Sequence, residues 1–307
     1  MDIDITEFDW FNDDGIFLPM LNDRSRNSFY KKAIDKSVKD KVVCDVGTGT
    51  GLLSILSAKA GARKVFAVER DQKRAEYAKN IIEELRLTDT VEVINDDFLN
   101  LDIPADIFVS ETINTQIFGE DILQIAEHAR KQGGVFIPSE FVITPVIYKH
   151  HPIFMLDQTR SESWEFKPNI EVDSIYRERV NRDFQSKHPE METLYRANQL
   201  NKLFQFIHTF TDVKLEKLWE GTPLTVDLNQ PIDINSVSIT IPYQEVNDTA
   251  SDWYMVFHWQ ARFQDVVMNS NSVWFGNVSK HITSHHINKN DIKTWYNPKL
   301  RDWHVVW

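Results

Sequence analysis

The sequence of 307 residues has one cysteine and no long apolar run. Because the single Cys44 can form no disulfide within the chain, a reducing compartment is predicted: the cytoplasm, with the nucleus as the alternative. No window approaches the ~18 uninterrupted apolar residues of a membrane-spanning helix, and the acidic residues 1–4 do not resemble the start of a signal peptide. The sequence therefore predicts an intracellular protein with no membrane partner.

Blocks of basic residues are also missing. The chain carries 34 lysines and arginines against 46 aspartates and glutamates, which gives a net charge of −12 at pH 7. This balance argues against binding to the phosphate backbone of nucleic acid and favours a cationic partner. The length of 307 residues indicates about two domains rather than a single core.

Glycine is scarce, with ten in the chain, yet three of them alternate within residues 47–51. An apolar run at 42–46 precedes these glycines and a helix-forming segment at 52–60 follows them. This order predicts a buried parallel strand, a tight turn and a helix start. Alternate glycines leave bare backbone on which a ligand can lie.

The chemistry of this turn indicates which ligand it suits. Its spacing, G-x-G-x-G, differs from the G-x-G-x-x-G of dinucleotide-binding folds, and the acid Asp45 beside it disfavours a phosphate. A nicotinamide dehydrogenase is therefore the least favoured enzyme class. The turn suits a ligand with a cationic end, such as S-adenosylmethionine, and is typical of class I methyltransferases. The residues predicted here to bind the ligand are Asp45, Gly47, Thr48, Gly49, Gly51 and Leu52.

Strands and helices alternate over the first 140 residues. Strands are predicted at residues 41–46, 64–69, 91–94, 105–110 and 135–138, and helices at 21–38, 52–60, 71–85 and 122–130. This alternation predicts an α/β domain at residues 1–140, with an open parallel sheet covered by helices on both faces, which is a Rossmann-like core.

The pattern changes after residue 140. Strands are predicted at residues 142–149, 236–241, 254–259 and 272–278, whereas residues 155–220 are charged and carry helical pieces. We therefore predict a second, mainly β domain at residues 141–307 with a helical insertion.

Acids follow the predicted strands at the edge of the sheet where ligands bind in open α/β folds. Glu69 offers two acceptor oxygens to a pair of ribose hydroxyls. Asp97 is suited to accept from the adenine amine, with the backbone N–H of Phe98 meeting a ring nitrogen. Taken alone, Glu69 and Asp97 would be exposed charges that end strands; after the glycine turn we interpret them as ligand residues.

Two glutamates bracket the segment after the fourth strand, with Glu111 and Glu120 nine residues apart. An acid at the start of a helix is also stabilised by the helix dipole, which is the alternative reading of Glu120. Glu111 directly follows a buried strand, and a purely structural role explains this acid less well than it explains Glu120. Together the two acids are placed to hold one cation from two sides.

With this glycine turn and this pair of glutamates, the chain resembles the protein arginine methyltransferases. The glutamate pair is similar to the family's double-glutamate loop, and residues 20–30 resemble its N-terminal helix motif. The resemblance implies that both glutamates hold the substrate guanidinium and that Arg26 binds the cofactor carboxylate. Residues 8–11 resemble the aromatic motif that closes over the cofactor, which implies a role for Phe8. Residues 301–303 are similar to a Thr-His-Trp loop, and this likeness adds Asp302 and Trp303 to the catalytic candidates.

The resemblance also implies an architecture. In the family a β-barrel follows the Rossmann-like core, and a helical arm that mediates head-to-tail dimers interrupts it. Residues 155–220 would be that arm and the assembly a homodimer. The residues between the two glutamates look most like the monomethylating, type III branch. A family barrel continues beyond the position of Trp303, so an incomplete barrel or a fragment is expected.

The predicted activity is S-adenosylmethionine-dependent methyl transfer to the guanidinium of an arginine in a protein or peptide. The alternatives are a class I methyltransferase acting on a small molecule or RNA, and a catalytically weak binding protein of the same family. No metal site is predicted, because His281, His285 and His286 have no cysteine or carboxylate beside them that completes a recognisable set.

Overall fold

The computed structural model describes residues 20–114, 116–149, 170–187, 217–242, 246, 252–270, 278–283 and 291–306. The aromatic motif with Phe8, most of the predicted arm and all but the last residue of the predicted strand at 272–278 lie outside these residues. Among the helices in the described part, none is both long and apolar enough to span a bilayer.

The first half of the chain forms a five-stranded sheet in the order β3-β2-β1-β4-β5, and every neighbouring pair is parallel. This confirms the predicted parallel sheet, with strand ends that lie within two residues of the sequence prediction. The strands β1 to β5 are Val42–Val46, Lys64–Val68, Val91–Ile94, Ile107–Ser110 and Val135–Ile137.

Five helices are described. The helices α1 to α5 are Arg24–Ser37, Leu52–Lys59, Gln72–Glu84, Ile122–Lys131 and Ser174–Lys187. Helix α1 begins three residues later than predicted because Asp23 caps it, accepting a hydrogen bond from the Arg26 N–H at 2.9 Å. Asp71 caps α3 in the same way through the Arg74 N–H. Both caps orient helices whose first turns face the carboxyl edge of the sheet.

The order of the strands places a crevice between β1 and β4. The chain runs outward from β1 to β3 and then crosses to β4 on the other side, and ligands bind at such a switch point beyond the carboxyl ends of the strands. Val46, the last residue of β1, pairs with Ser110, the last of β4, and the Ser110 hydroxyl donates to the Val46 carbonyl at 2.9 Å. The glycine turn and the segment that begins at Glu111 therefore start side by side.

The rest of the described chain is mainly antiparallel. One sheet has the order β11-β10-β6-β7, with β12 added to β10 and β8 added to β6, and a second has the order β14-β13-β9. The strands β6 to β14 are Glu140–Tyr148, Lys217–Glu220, Leu224–Asp227, Ser238–Ile241, Asp252–Phe263, Val266–Asn269, Val278–Thr283, Ile292–Asn297 and Asp302–Val306. A β-rich second half was predicted and is confirmed, whereas the boundary at residue 140 stays a prediction.

The predicted arm needs one correction. The last four residues of the range 155–220 form strand β7, which pairs with β6 and is not helical. Within the rest of that range, the described part contains helix α5. Its residue Tyr176 is fully buried in the chain's own core, so this helix packs within the subunit. A homodimer through the arm stays a prediction.

Candidate active site

A cavity of about 380 Å³ lies at the carboxyl edge of the parallel sheet, over β1 and β4. It gathers ten of the residues proposed from the sequence, from segments far apart in the chain. These are Arg26, Gly47, Thr48, Gly49, Leu52, Glu69, Asp97, Phe98, Glu111 and Glu120. Of the other candidates, Phe8 lies outside the described residues, and the cavity wall does not include Asp45, Gly51, Asp302 or Trp303.

The glycines of the turn adopt the left-handed backbone conformation that other residues rarely tolerate. Gly47, Gly49 and Gly51 have φ of 76°, 55° and 84°. A Cβ atom on Gly47 would also lie 3.2 Å from the Cγ2 atom of Thr112, in the segment that follows β4. The bare backbone thus serves the turn itself and the close approach of the neighbouring loop.

Asp45 has a different position from the one predicted. It is fully buried beneath the turn, and its Oδ2 atom accepts hydrogen bonds from the hydroxyls of Thr48 at 2.6 Å and Ser54 at 2.7 Å. Its Oδ1 atom has no hydrogen-bond partner among the described residues, and burial raises the pKa of the carboxyl to about 6. The geometry makes Asp45 a support for the turn, not part of the cavity wall.

Glu69 closes the other side of the turn. Its carboxylate accepts backbone hydrogen bonds from Gly49 and Asp71, both at 3.0 Å. Each oxygen then keeps acceptor capacity for a ligand hydroxyl, because a carboxylate has about four acceptor positions. The acid joins β2 to the glycine turn and still lines the cavity.

Asp97 and Phe98 lie at the end of the cavity next to β3. The Asp97 carboxylate accepts a hydrogen bond from the Leu99 N–H at 3.0 Å, which caps a short 3₁₀ turn. Phe98 is buried, with its ring 5.1 Å from that of His128 in an edge-to-face contact. The predicted apolar and acidic groups are therefore present together at this end.

Arg26 and Glu111 form a buried ion pair, with 2.7 Å between Arg26 Nη2 and Glu111 Oε2. Arg26 also donates to the carbonyl of Met20 at 2.9 Å. Two atoms of the pair, Arg26 Nε and Glu111 Oε1, are buried and lack a hydrogen-bond partner within the described structure. Burial raises the pKa of Glu111 to about 7, although the Arg26 guanidinium acts to lower it. The sequence placed these two residues in the site but did not predict that they bind each other.

Glu120 is exposed at the rim of the cavity. Partial desolvation raises the pKa of its carboxyl, while the charges of Arg70 and Arg74 lower it. The two glutamates thus line one cavity, Glu111 in the buried wall and Glu120 at the solvent edge.

The β13–β14 hairpin holds the segment between the glutamates. The Trp303 Nε1–H donates to the Gln116 carbonyl at 3.1 Å, and the Tyr296 hydroxyl donates to the Phe118 carbonyl at 2.6 Å. Arg301 Nη2 lies 2.5 Å from Asp121 Oδ2, directly after Glu120. The predicted site residue Trp303 therefore supports this segment from behind the cavity, and Asp302 lies beside it in the hairpin.

Sequence reasoning missed Arg70 and Arg74 in the cavity wall. Their signal is positional, since Arg70 follows the strand-end acid Glu69 and Arg74 is one helical turn further on. Tyr296 carried no signal, because its contact with Phe118 joins residues 178 positions apart. No group of three or more histidine, cysteine or acidic side chains arranged for a metal ion occurs within the described ranges.

Comparison with known proteins gives sequence likeness over less than half of the chain. Residues 31–162 match the ribosomal protein L11 methyltransferase (PrmA) family. An arginine N(omega)-methyltransferase of Streptomyces achromogenes subsp. streptozoticus is 35% identical over 131 residues, which cover 39% of this chain and 36% of that protein. The protein arginine N-methyltransferase 6 of Danio rerio is 36% identical over 154 residues, which cover 47% of this chain and 44% of that protein. The chain thus matches less than half the length of these curated relatives.

Solved structures extend the likeness to nearly the whole chain. The Trypanosoma brucei PRMT1 enzyme-prozyme heterotetrameric complex with AdoHcy has a TM-score of 0.60 at 19% identity, covering 97% of this chain and 93% of that one. The crystal structure of PRMT6-SAH has a TM-score of 0.60 at 17% identity, covering 95% and 98%. At these identities the likeness shows a shared fold. By sequence, less than half of the chain is similar to the PrmA family and to arginine methyltransferases, and by fold nearly its whole length resembles solved protein arginine methyltransferases.

Proposed function

We propose that the protein transfers a methyl group from S-adenosylmethionine to a guanidinium nitrogen of arginine in a protein substrate. One observation carries the proposal: the glycine turn and two glutamates line the same cavity, and one buried carboxylate oxygen, Glu111 Oε1, has no hydrogen-bond partner among the described residues. A buried acceptor without a partner is costly, so its presence in a cavity wall points to a ligand that donates to it. A guanidinium offers five such donors.

The residues of the cavity fit the proposed methyl donor. Bare backbone at Gly47 and Gly49 admits close approach, Glu69 retains acceptor capacity for hydroxyls, and Arg26 Nε is a buried donor without a partner within the described structure. We assign these groups to the donor's amino-acid and ribose parts. When bound, S-adenosylmethionine would supply an electrophilic methyl group on a sulfonium.

The two glutamates solve a specific chemical difficulty. Guanidinium is protonated at neutral pH, and its lone pairs are delocalised, so it is a poor nucleophile. Hydrogen bonds from two of its nitrogens to Glu111 and Glu120 draw positive charge toward those nitrogens and hold the third in place. Fixing the geometry of two reactants supplies up to ~7–11 kcal/mol of a reaction barrier.

A proton must leave the guanidinium once it carries the methyl group. A catalytic base works best when its pKa lies near the operating pH. Burial brings the pKa of Glu111 to about 7, and partial desolvation raises that of Glu120. We assign the acceptor role to Glu120, because the solvent edge gives the proton an exit and Glu111 is engaged by Arg26.

Methyl transfer from labelled donor to an Arg-Gly-rich peptide tests the proposal, with acid hydrolysis to identify the methylated residue. We expect labelled methylarginine from the wild type and a loss of about a hundredfold or more in turnover for Glu111→Gln, as when one preorganised electrostatic contact is removed. Glu127→Gln is the matched control, since Glu127 pairs with Arg130 on α4 and does not line the cavity. Label on another acceptor, or S-adenosylhomocysteine binding without transfer, would reject arginine methylation.

We also propose a homodimer. The support is the fold shared with the Trypanosoma brucei PRMT1 protein, which assembles into an oligomer, an enzyme-prozyme heterotetramer. Light scattering is expected to give a mass near twice 35.9 kDa. A mass of one chain over the working concentration range would reject it.

A further inference from the structure

Helix α5 lies in the segment inserted between β6 and β7 and packs across the helices that flank the glycine turn. Lys59 Nζ, at the end of α2, is 2.6 Å from Asp173 Oδ2 at the start of α5. Arg179 Nη1 is 2.9 Å from Glu84 Oε2 at the end of α3. Val180 of α5 is buried in the hydrophobic core of the chain. Ion pairs therefore tie the inserted helix α5 to both α2 and α3.

One side chain of α5 reaches the glycine turn itself. Tyr176 is fully buried, and its hydroxyl lies 2.8 Å from the Thr50 hydroxyl. Burial raises the pKa of this phenol, so it remains neutral and able to hydrogen-bond at physiological pH. Thr50 lies between Gly49 and Gly51 and lines the cavity. The bond joins the inserted segment to the wall of the candidate site over 126 positions of sequence.

The turn gains from such a restraint. Gly49 and Gly51 both have positive φ, and glycine loses more backbone freedom on ordering than any other residue. A ligand that binds an already ordered loop avoids that ordering cost. A hydrogen bond that fixes Thr50 from outside therefore favours binding without touching the ligand.

We propose that Tyr176 is a positioning residue that orders the glycine turn through Thr50, so that packing of α5 and occupancy of the cavity are coupled. The proposal rests on the proposed function, because the coupled ligand is the methyl donor or its product. Coupling between two sites is reciprocal. Loss of the Tyr176 hydroxyl weakens ligand binding, and ligand binding in turn stabilises α5.

Calorimetric titration of the full chain with S-adenosylhomocysteine tests whether the Tyr176 hydroxyl strengthens ligand binding. Tyr176→Phe keeps the ring and removes the hydroxyl, and we expect about two- to tenfold weaker binding, the range of one net hydrogen bond. Tyr148→Phe is the matched control, because it makes the same substitution within the antiparallel sheet, at a hydroxyl that bonds His258 and does not line the cavity. Its affinity for S-adenosylhomocysteine is expected to stay within about twofold of the wild type.

A double-mutant cycle separates positioning from a general loss of stability. In a Thr50→Val background, Tyr176→Phe is expected to cause no further loss of affinity, because the shared bond is already absent. An equal loss in both backgrounds would overturn the proposal, as would unchanged affinity in Tyr176→Phe alone. If the wild type itself does not bind S-adenosylhomocysteine, the proposed function fails and this inference fails with it.

Hydrogen exchange of the wild type tests the reciprocal effect, the stabilisation of α5 by ligand binding. S-adenosylhomocysteine is expected to slow amide exchange in residues 174–187, although none of them lines the cavity. Exchange that is unchanged by ligand would contradict the coupling. Should Tyr176→Phe fail to fold, this measurement decides by itself.

Discussion

Arg26 and Glu111 are 85 residues apart in the chain and 2.7 Å apart in the structure, where they form a buried ion pair in the wall of the candidate site. Helix α1 supplies the first residue, and the segment after β4 supplies the second. Each retains one buried atom with no partner in the described part of the chain. The two residues thus bind each other, and each keeps one atom that is available to a ligand.

Removing one member of this pair is expected to destabilise the protein. Arg26→Gln leaves Glu111 buried without its cation, so this acid must either stay charged or take up a proton, and the free energy of unfolding is expected to fall by up to about 3–5 kcal/mol. Arg26→Met combined with Glu111→Leu is expected to recover most of that loss, because no charge is then buried. Urea unfolding measures both variants. A double variant that is no more stable than Arg26→Gln would contradict the interpretation.

The proposed methyl transfer is expected to depend on the ionisation of Glu111. Its pKa is raised to about 7 by burial, and only the carboxylate form attracts a guanidinium. In the free enzyme, kcat/KM should therefore fall as pH decreases through about 7, approaching tenfold per pH unit. The residual activity of Glu111→Gln should lack this limb. A wild-type profile that is flat between about pH 5.5 and 8 would show that another group controls binding.

Asp45 is expected to make stability depend on pH. Burial raises its pKa from 3.8 in the reference state to about 6 in the folded protein. The favourable contribution of the protonated acid is complete below the lower value and is lost as pH rises through the upper one. Asp45→Asn does not titrate, so between pH 4 and 7 its free energy of unfolding should rise relative to the wild type. A shift of about two pKa units limits the change to about 3 kcal/mol. Parallel stability curves would reject this account.

Tyr296 is expected to affect catalysis more than donor binding. Tyr296→Phe removes the hydroxyl that donates to the Phe118 carbonyl and loosens the segment that carries Glu120. A buried acceptor left unsatisfied costs about 1–3 kcal/mol. We expect kcat for the arginine peptide to fall severalfold while the affinity for S-adenosylhomocysteine stays unchanged.

Tyr148→Phe is the matched control for that change. The Tyr148 hydroxyl bonds His258 between β6 and β10, within the antiparallel sheet. The same chemical substitution there should leave kcat unchanged. Equal effects of the two substitutions, or a loss of donor affinity in Tyr296→Phe, would show that the hairpin does not position Glu120.

The sequence was informative wherever a local pattern has a direct spatial meaning. Alternating glycines predict the turn, and because parallel strands bring their carboxyl ends to one edge, the sequence places Glu69 and Glu111 in one site. The burial of Asp45 was not predictable in this way. An acid near the end of a strand is predicted to line the cavity. Asp45 instead lies beneath the turn, where it accepts hydrogen bonds from the hydroxyls of Thr48 and Ser54.

Contacts between distant segments were the part that the sequence did not reveal. The pairing of Arg26 with Glu111 and the bond from Tyr176 to Thr50 depend on how whole elements pack. Neither residue pair follows a period of 2 or 3.6 positions, which is the spacing that local patterns report. Such contacts also affect ionisation, since burial raises the pKa of Glu111 and its partner Arg26 acts to lower it.

The pairing of Val46 with Ser110 has a consequence for how this site tolerates change. These residues are 64 positions apart, and a ladder of backbone hydrogen bonds between β1 and β4, not the intervening chain, sets the distance from the glycine turn to Glu111. Insertions in the loops among β2, α3 and β3 should leave that distance intact, since surface connections accept added length. A search for similar sites is therefore better based on the ends of adjacent strands than on a fixed number of residues between the motifs.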